Sequence, residues 1–127
     1  MKIISNFIFF LFLSCFFLIG CGVEYNFKKA EQLKDKGQYK KAIRKYEKIV
    51  KKYPNTELAA TAQYTIGNIY FYKINKYSLA IEEYQRFISE YPNDKRCAKV
   101  QYKIGIIEFQ NLRNYLQAIS SFQKVIE

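Results

Sequence analysis

Cys21 is the residue best placed for covalent chemistry: its thiol follows Leu18, Ile19 and Gly20, at the end of an apolar run from Ile3 to Ile19 broken only by Ser5, Asn6, Ser14 and Cys15. A thiol there can form a thioether. Catalysis finds less to work with. The chain contains no histidine, so the commonest general base, proton shuttle and metal ligand is missing. No Cys/His or Ser/His pair can therefore exist. Glu82 and Glu83 are adjacent on a predicted helix and diverge, and Glu108 stands alone, which leaves no convergent pair of carboxylates. An enzyme such as a cell-wall hydrolase or its accessory is the competing class, and it is set aside on these grounds. No catalytic residue, metal site or cofactor is expected beyond a covalent lipid on Cys21.

Met1 and Lys2 open a short positive region before the apolar run, the pattern of a secretory leader. A short membrane-spanning anchor is the alternative, at the lower limit of about 17 residues. The end of the segment decides between them, because Leu18-Ile19-Gly20-Cys21 resembles the bacterial lipobox. That resemblance implies a signal peptide over residues 1–20, a diacylglyceryl group on Cys21 and acylation of its new α-amino group, palmitate included. Several acyl chains anchor stably, at about 0.8 kcal/mol per buried CH₂. Gly22 follows, not the aspartate that in enteric bacteria resembles an inner-membrane retention signal, so the outer membrane is the expected destination. Cys15 leaves with the leader and Cys21 is occupied, so Cys97 has no partner for a disulfide and is read as a packing residue.

Charge is uneven. The formal net charge is +10, and eleven basic residues lie between Lys28 and Lys52 against Glu31, Asp35 and Glu47. Such a segment either forms the solvated faces of two surface helices or attracts anionic surfaces, lipid head groups among them. Nucleic acid is not an expected partner, since the leader exports the chain away from it.

Five Gly, two Pro and no Trp against twelve Tyr and eleven Phe favour helices joined by short turns over a sheet. The mature stretch, 21–127, also repeats itself. Ala42, Ala80 and Ala118 are spaced by 38 residues, as are Tyr39, Tyr77 and Tyr115, and Ile43, Ile81 and Ile119. Tyr53-Pro54-Asn55 recurs as Tyr91-Pro92-Asn93, and Gly67 as Gly105. A period of this length indicates a stacked array. Each unit reads as an A helix and a B helix, the B helix stopped by proline, which disfavours helical geometry in the residue before it. The units run over about 24–55, 56–93 and 94–127. Their A helices are predicted from about Glu24 to Lys36, from Thr56 (as N-cap) to Tyr72, and from Lys95 to Asn111.

Tyr64-Thr65-Ile66-Gly67-Asn68-Ile69-Tyr70-Phe71, with Ala80, Tyr84 and Pro92 downstream, resembles a tetratricopeptide repeat. The unit is longer than the usual 34 residues, with one extra residue between Gly67 and Ala80. The expected fold is therefore all-α: about three helix pairs in a tetratricopeptide-like array. Ala42, Gly67, Ala80, Gly105 and Ala118 are read as the small residues that let A and B helices approach closely, with Ala30 replacing the glycine in unit one. The stripe of the third B helix, around Ile119, Phe122 and Val125, is expected to lie uncovered.

A lipobox followed by long repeats ending in Tyr-Pro-Asn resembles the lipoprotein subunit of the outer-membrane β-barrel assembly machinery. It is also similar to the repeats of the Tol–Pal-associated cell-division coordinator. The first resemblance implies a lipid-anchored scaffold on the periplasmic face of the outer membrane that binds envelope proteins, such as the β-barrel assembly channel and its lipoproteins. The second implies a scaffold for division coordination. In either case the A helices line a concave wall of the kind solenoids use for recognition. Mapping the repeat places Phe27, Tyr64 and Tyr102 at one inward position, Glu31, Asn68 and Ile106 at another, and Lys34, Phe71 and Phe109 at a third. From these, Phe27, Glu31, Tyr64, Asn68, Phe71, Tyr102 and Phe109 are the candidate partner-binding residues.

Overall fold

The computed structural model describes residues 22–126, so the signal peptide and the lipobox Leu18, Ile19, Gly20, Cys21 lie outside the described residues. The described chain is all-α. Helix α1 covers 22–35, followed by α2 (Tyr39–Lys52), α3 (Glu57–Tyr72), α4 (Tyr77–Glu90), α5 (Cys97–Ile106) and α6 (Tyr115–Ile126). Between α5 and α6 the helix widens into a π-helical turn, Ile107–Asn111. From α2 onward each helix packs on the next, giving a tetratricopeptide-type array. No helix among the described residues is long and apolar enough to cross a membrane.

Two cores hold the array together. Val23, Ala30, Ala42, Ile43, Tyr46, Ile49, Ala59, Ala62, Ile66 and Ile69 form one, and Ala60, Ala80, Tyr84, Phe87, Val100, Ile104 and Ile107 the other. Helix α3 supplies both, which explains its sequence: apolar residues go all the way round it, the pattern of a helix covered on more than one side. Helix α2 is one-sided, burying Ala42, Ile43, Tyr46 and Ile49 and leaving its lysines outside.

Helices α2 and α4 stop where proline requires, at Tyr53 before Pro54 and Tyr91 before Pro92. Thr56 then caps α3, its hydroxyl accepting from the Ala59 amide at 3.1 Å. The corresponding residue in the third unit is Asp94, whose carboxylate instead accepts from the Arg96 amide at 2.9 Å. That turn delays the start of α5 to Cys97, two residues beyond the expected Lys95.

The A-to-B turns carry a regularity the sequence hides. Gly37, Asn75 and Arg113, spaced by 38, are the described residues with positive φ, at 71°, 55° and 53°. In the first turn the Gly37 amide donates to Lys34 and the Gln38 amide to Leu33, both at 2.9 Å, the Schellman closure with glycine at the left-handed position. The later turns are one residue wider. There the Lys76 amide reaches Tyr70 at 2.8 Å and the Asn114 amide reaches Glu108 at 2.7 Å. The extra residue between Gly67 and Ala80 is absorbed by this widening, and in the third unit the widening runs back into the π-helical turn.

Candidate functional site

The small residues sit where two helices meet. Ala42, Ala80 and Ala118 are fully enclosed. Gly67 lies under the ring of Tyr84: a Cβ there would come within 2.5 Å of Cε1. Gly105 stands in the same relation to Phe122, again at 2.5 Å. Phe122 is thus seated on α5, a correction to the expectation that it lies uncovered, and Ile119 is the exposed member of that stripe.

The seven candidate wall residues separate into two groups. Phe27 meets Tyr46 edge-on at 5.6 Å, and Phe71 meets Tyr77 at 6.1 Å on the edge of the second core. Glu31 accepts a hydrogen bond from the Tyr46 hydroxyl and pairs with Lys34. Asn68 does the same for Tyr84, accepting from its hydroxyl at 2.7 Å. These polar positions therefore latch a buried tyrosine of the B helix to the A helix. Burial, reinforced in Tyr46 by the Glu31 carboxylate and in Tyr84 by nearby phenols, pushes both hydroxyls far above the ordinary tyrosine range. Tyr64 is half-buried against Tyr84 and Phe87, at 6.3 and 5.8 Å. Tyr102 and Phe109 are the open ones, 52% and 49% exposed.

Two cations that the sequence did not single out organise this surface. The Lys103 ammonium donates to Asn68 at 2.7 Å and stands 4.9 Å from the ring centres of Tyr64 and Tyr72 and 5.6 Å from that of Tyr84. A cation over several ring faces is attracted by their quadrupoles. Burial alone would raise the Tyr64 phenol, but its bond with Lys103, that ammonium's charge, a bond with Asn68 and the charge of Lys99 together outweigh burial and lower it. Arg96 spans the rings of Tyr64 and Phe87 at 5.4 and 5.3 Å. It is pinned by two bonds to Asp94, at 2.8 and 2.7 Å, and one to Thr61 at 3.1 Å. Those bonds to Arg96 hold the Asp94 carboxyl below its usual range. Tyr72, 55% exposed, was also missed. It sits one position after Phe71, and the outward position of the pair is visible only once the inner ring is placed.

The carboxylates do not converge. Glu83 is buried and accepts from Gln63 at 2.7 Å, while Glu82 faces solvent. Cys97 is a free thiol, donating to the Tyr91 carbonyl at 3.2 Å and pushed up by burial. Among the described residues no group of His, Cys, Asp or Glu could hold a metal ion. What the surface offers is contact: Tyr72, Tyr102 and Phe109 are exposed aromatics on the second and third A helices, and Tyr72 is one of the rings about the Lys103 ammonium.

A family model described as YfiO, outer membrane lipoprotein, matches residues 23–127. No curated protein matches the chain.

Proposed function

We propose that this chain, which belongs to the YfiO family of outer membrane lipoproteins, is a non-catalytic scaffold held by lipid on Cys21 at the periplasmic face of the outer membrane. Its partners on this reading are envelope proteins engaged in assembling β-barrel outer-membrane proteins, with the assembly channel and its lipoproteins foremost. The observation that carries it is the trio Tyr72, Tyr102 and Phe109, half-exposed aromatics held on A helices whose other faces are packed. Rigid aromatic rings supply large contact area with few rotors to immobilise, which is why they dominate binding hot spots.

The test is quantitative capture of partners from the native membrane. Tyr102→Ala and Phe109→Ala should weaken capture of the assembly channel by about thirtyfold, the equivalent of the roughly 2 kcal/mol lost with a central aromatic anchor. Helix content should be retained. Undiminished capture by both variants would remove the wall, and recovery of Tol or Pal components in place of the channel would redirect the scaffold to division.

A further inference from the structure

Five of the seven basic residues of α2 fall on one stripe. Lys41, Arg44, Lys45, Lys48 and Lys52 recur at spacings of three and four, so they share a helix face, and over eleven residues that face runs about 16 Å. Glu47, the only acid of α2, lies off the stripe. Among the described residues none of these five cations forms an ion pair. They line two open depressions along the seam between α1 and α2. One, of about 250 Å³, is bounded by Leu33 with Lys41, Arg44, Lys45 and Lys48. The other, of about 200 Å³, is bounded by Asn26 and Tyr53 with Lys45, Lys48 and Lys52. Lys45 and Lys48 belong to both. Five like charges on one face repel one another, so the stripe favours an anionic neighbour.

The seam lies beside the anchor end of the chain. Gly22 packs against the end of α2, a Cβ there falling 3.2 Å from the Tyr53 hydroxyl, and Gly22 follows Cys21 directly. A lipid on Cys21 would therefore bring a bilayer surface next to Lys52 and Tyr53. Charges act on a membrane only within a Debye length of about 8 Å at physiological salt, and Lys52, adjacent to Tyr53 in the chain, is the cation of the stripe next to the anchor end.

We propose that the α1–α2 seam is a headgroup-binding face: Lys45, Lys48 and Lys52, with Lys41 and Arg44 beyond them, dock on the phosphates of anionic phospholipids in the anchoring leaflet. This rests on lipid attachment at Cys21. The face holds the array in one orientation to the bilayer, leaving the α3 and α5 wall free for partners. Anchoring takes two signals on this account, an acyl one and a basic one.

The experiment uses the full lipidated protein reconstituted into vesicles of phosphatidylcholine alone, or with a third of that lipid replaced by phosphatidylglycerol. Flotation reports the lipid anchor, and the rate of lysine acylation by a water-soluble reagent, read by mass spectrometry, reports the seam. Lys45, Lys48 and Lys52 should react about fivefold more slowly on the anionic vesicles, with the difference erased by high salt. Lys76, exposed on the α3–α4 turn, should react alike on both. Lys45→Glu with Lys48→Glu, at sites outside the core, should float normally and lose the anionic preference of Lys52. Equal labelling of floated protein on both vesicles overturns the proposal alone, whereas failure to float on neutral vesicles overturns lipid attachment and the proposal with it. Protection by polyglutamate but not by anionic vesicles would assign the seam to an acidic protein and overturn the lipid assignment.

Discussion

Gly67 and Tyr84 are in direct contact across the α3–α4 interface: the tyrosine ring fills the space a side chain at residue 67 would need, with Cε1 and Cδ1 at 2.5 and 2.6 Å from an ideal Cβ. The ring cannot move aside cheaply, because Tyr84 is fully buried and its hydroxyl is tied to Asn68.

Gly67→Ala should therefore lower the melting temperature. Alanine gains up to about 1 kcal/mol over glycine inside a helix, but overpacking of this kind costs typically 1 to 3 kcal/mol. Gly105→Ala should cost less, since Phe122 is only partly buried. A thermal melt of each variant is the check, and a rise for Gly67→Ala would show that the ring yields.

Arg113 is a non-glycine residue held at φ 53° in the α5–α6 turn. Left-handed backbone costs an ordinary residue roughly 1 to 2 kcal/mol, against about 0.5 to 1 kcal/mol of added chain entropy for glycine. Arg113→Gly should raise stability by about 0.5 kcal/mol or more, and Arg113→Val should reduce it. Urea midpoints of the two variants should move in opposite directions from the parent.

The buried Gln63 side chain donates to both the carbonyl and the carboxylate of Glu83, at 3.0 and 2.7 Å. Its counterpart 38 residues on, Gln101, makes one bond, to the Ser121 carbonyl at 3.3 Å. Gln63→Leu strands a buried carboxylate that keeps only a long contact to Arg86 at 3.4 Å, and should cost about 1 to 3 kcal/mol or more. Gln101→Leu should cost under about 1 kcal/mol, as one neutral hydrogen bond is worth on balance. Equal melting of the two variants would mean that Glu83 finds another partner once Gln63 is gone.

Alkaline pH should unfold the protein through its buried phenols. Tyr46 and Tyr84 have folded-state affinities for their protons far above the ordinary value, chiefly because of burial. Their contribution is complete below the unfolded value of about 10 and falls as pH rises past it, because the unfolded chain can ionise and the folded one cannot. Tyr64 has the opposite sign: its lowered phenol adds stability only at alkaline pH and none at neutrality. Burial also raises Tyr70 and Tyr91, so four raised phenols stand against one lowered, and stability should decline above about pH 10. Tyr84→Phe should flatten that decline while losing the Asn68 bond. In absorbance titration the first phenol to ionise should be delayed by Lys103→Gln.

Much of this protein was written in the sequence. The Leu18 to Cys21 motif sets the expected anchor, and the 38-residue spacing of Ala42, Ala80 and Ala118 fixes the array. Pro54 and Pro92 fix where α2 and α4 stop. These are local or periodic properties, and a small side chain, a proline or a repeat carries the same physical consequence wherever it packs. The surface was decided only in three dimensions. Helix α3 is apolar on every side, so its spacing could not tell the face that meets α4 from the face left open, and Tyr64 and Phe71 proved packed while Tyr72 proved exposed. Asn68 and Glu31 are consumed by tyrosines 16 and 15 residues away in sequence, and Lys103 reaches Asn68 across 35. Such pairings depend on how two helices cross, and neither helix's own sequence contains that angle.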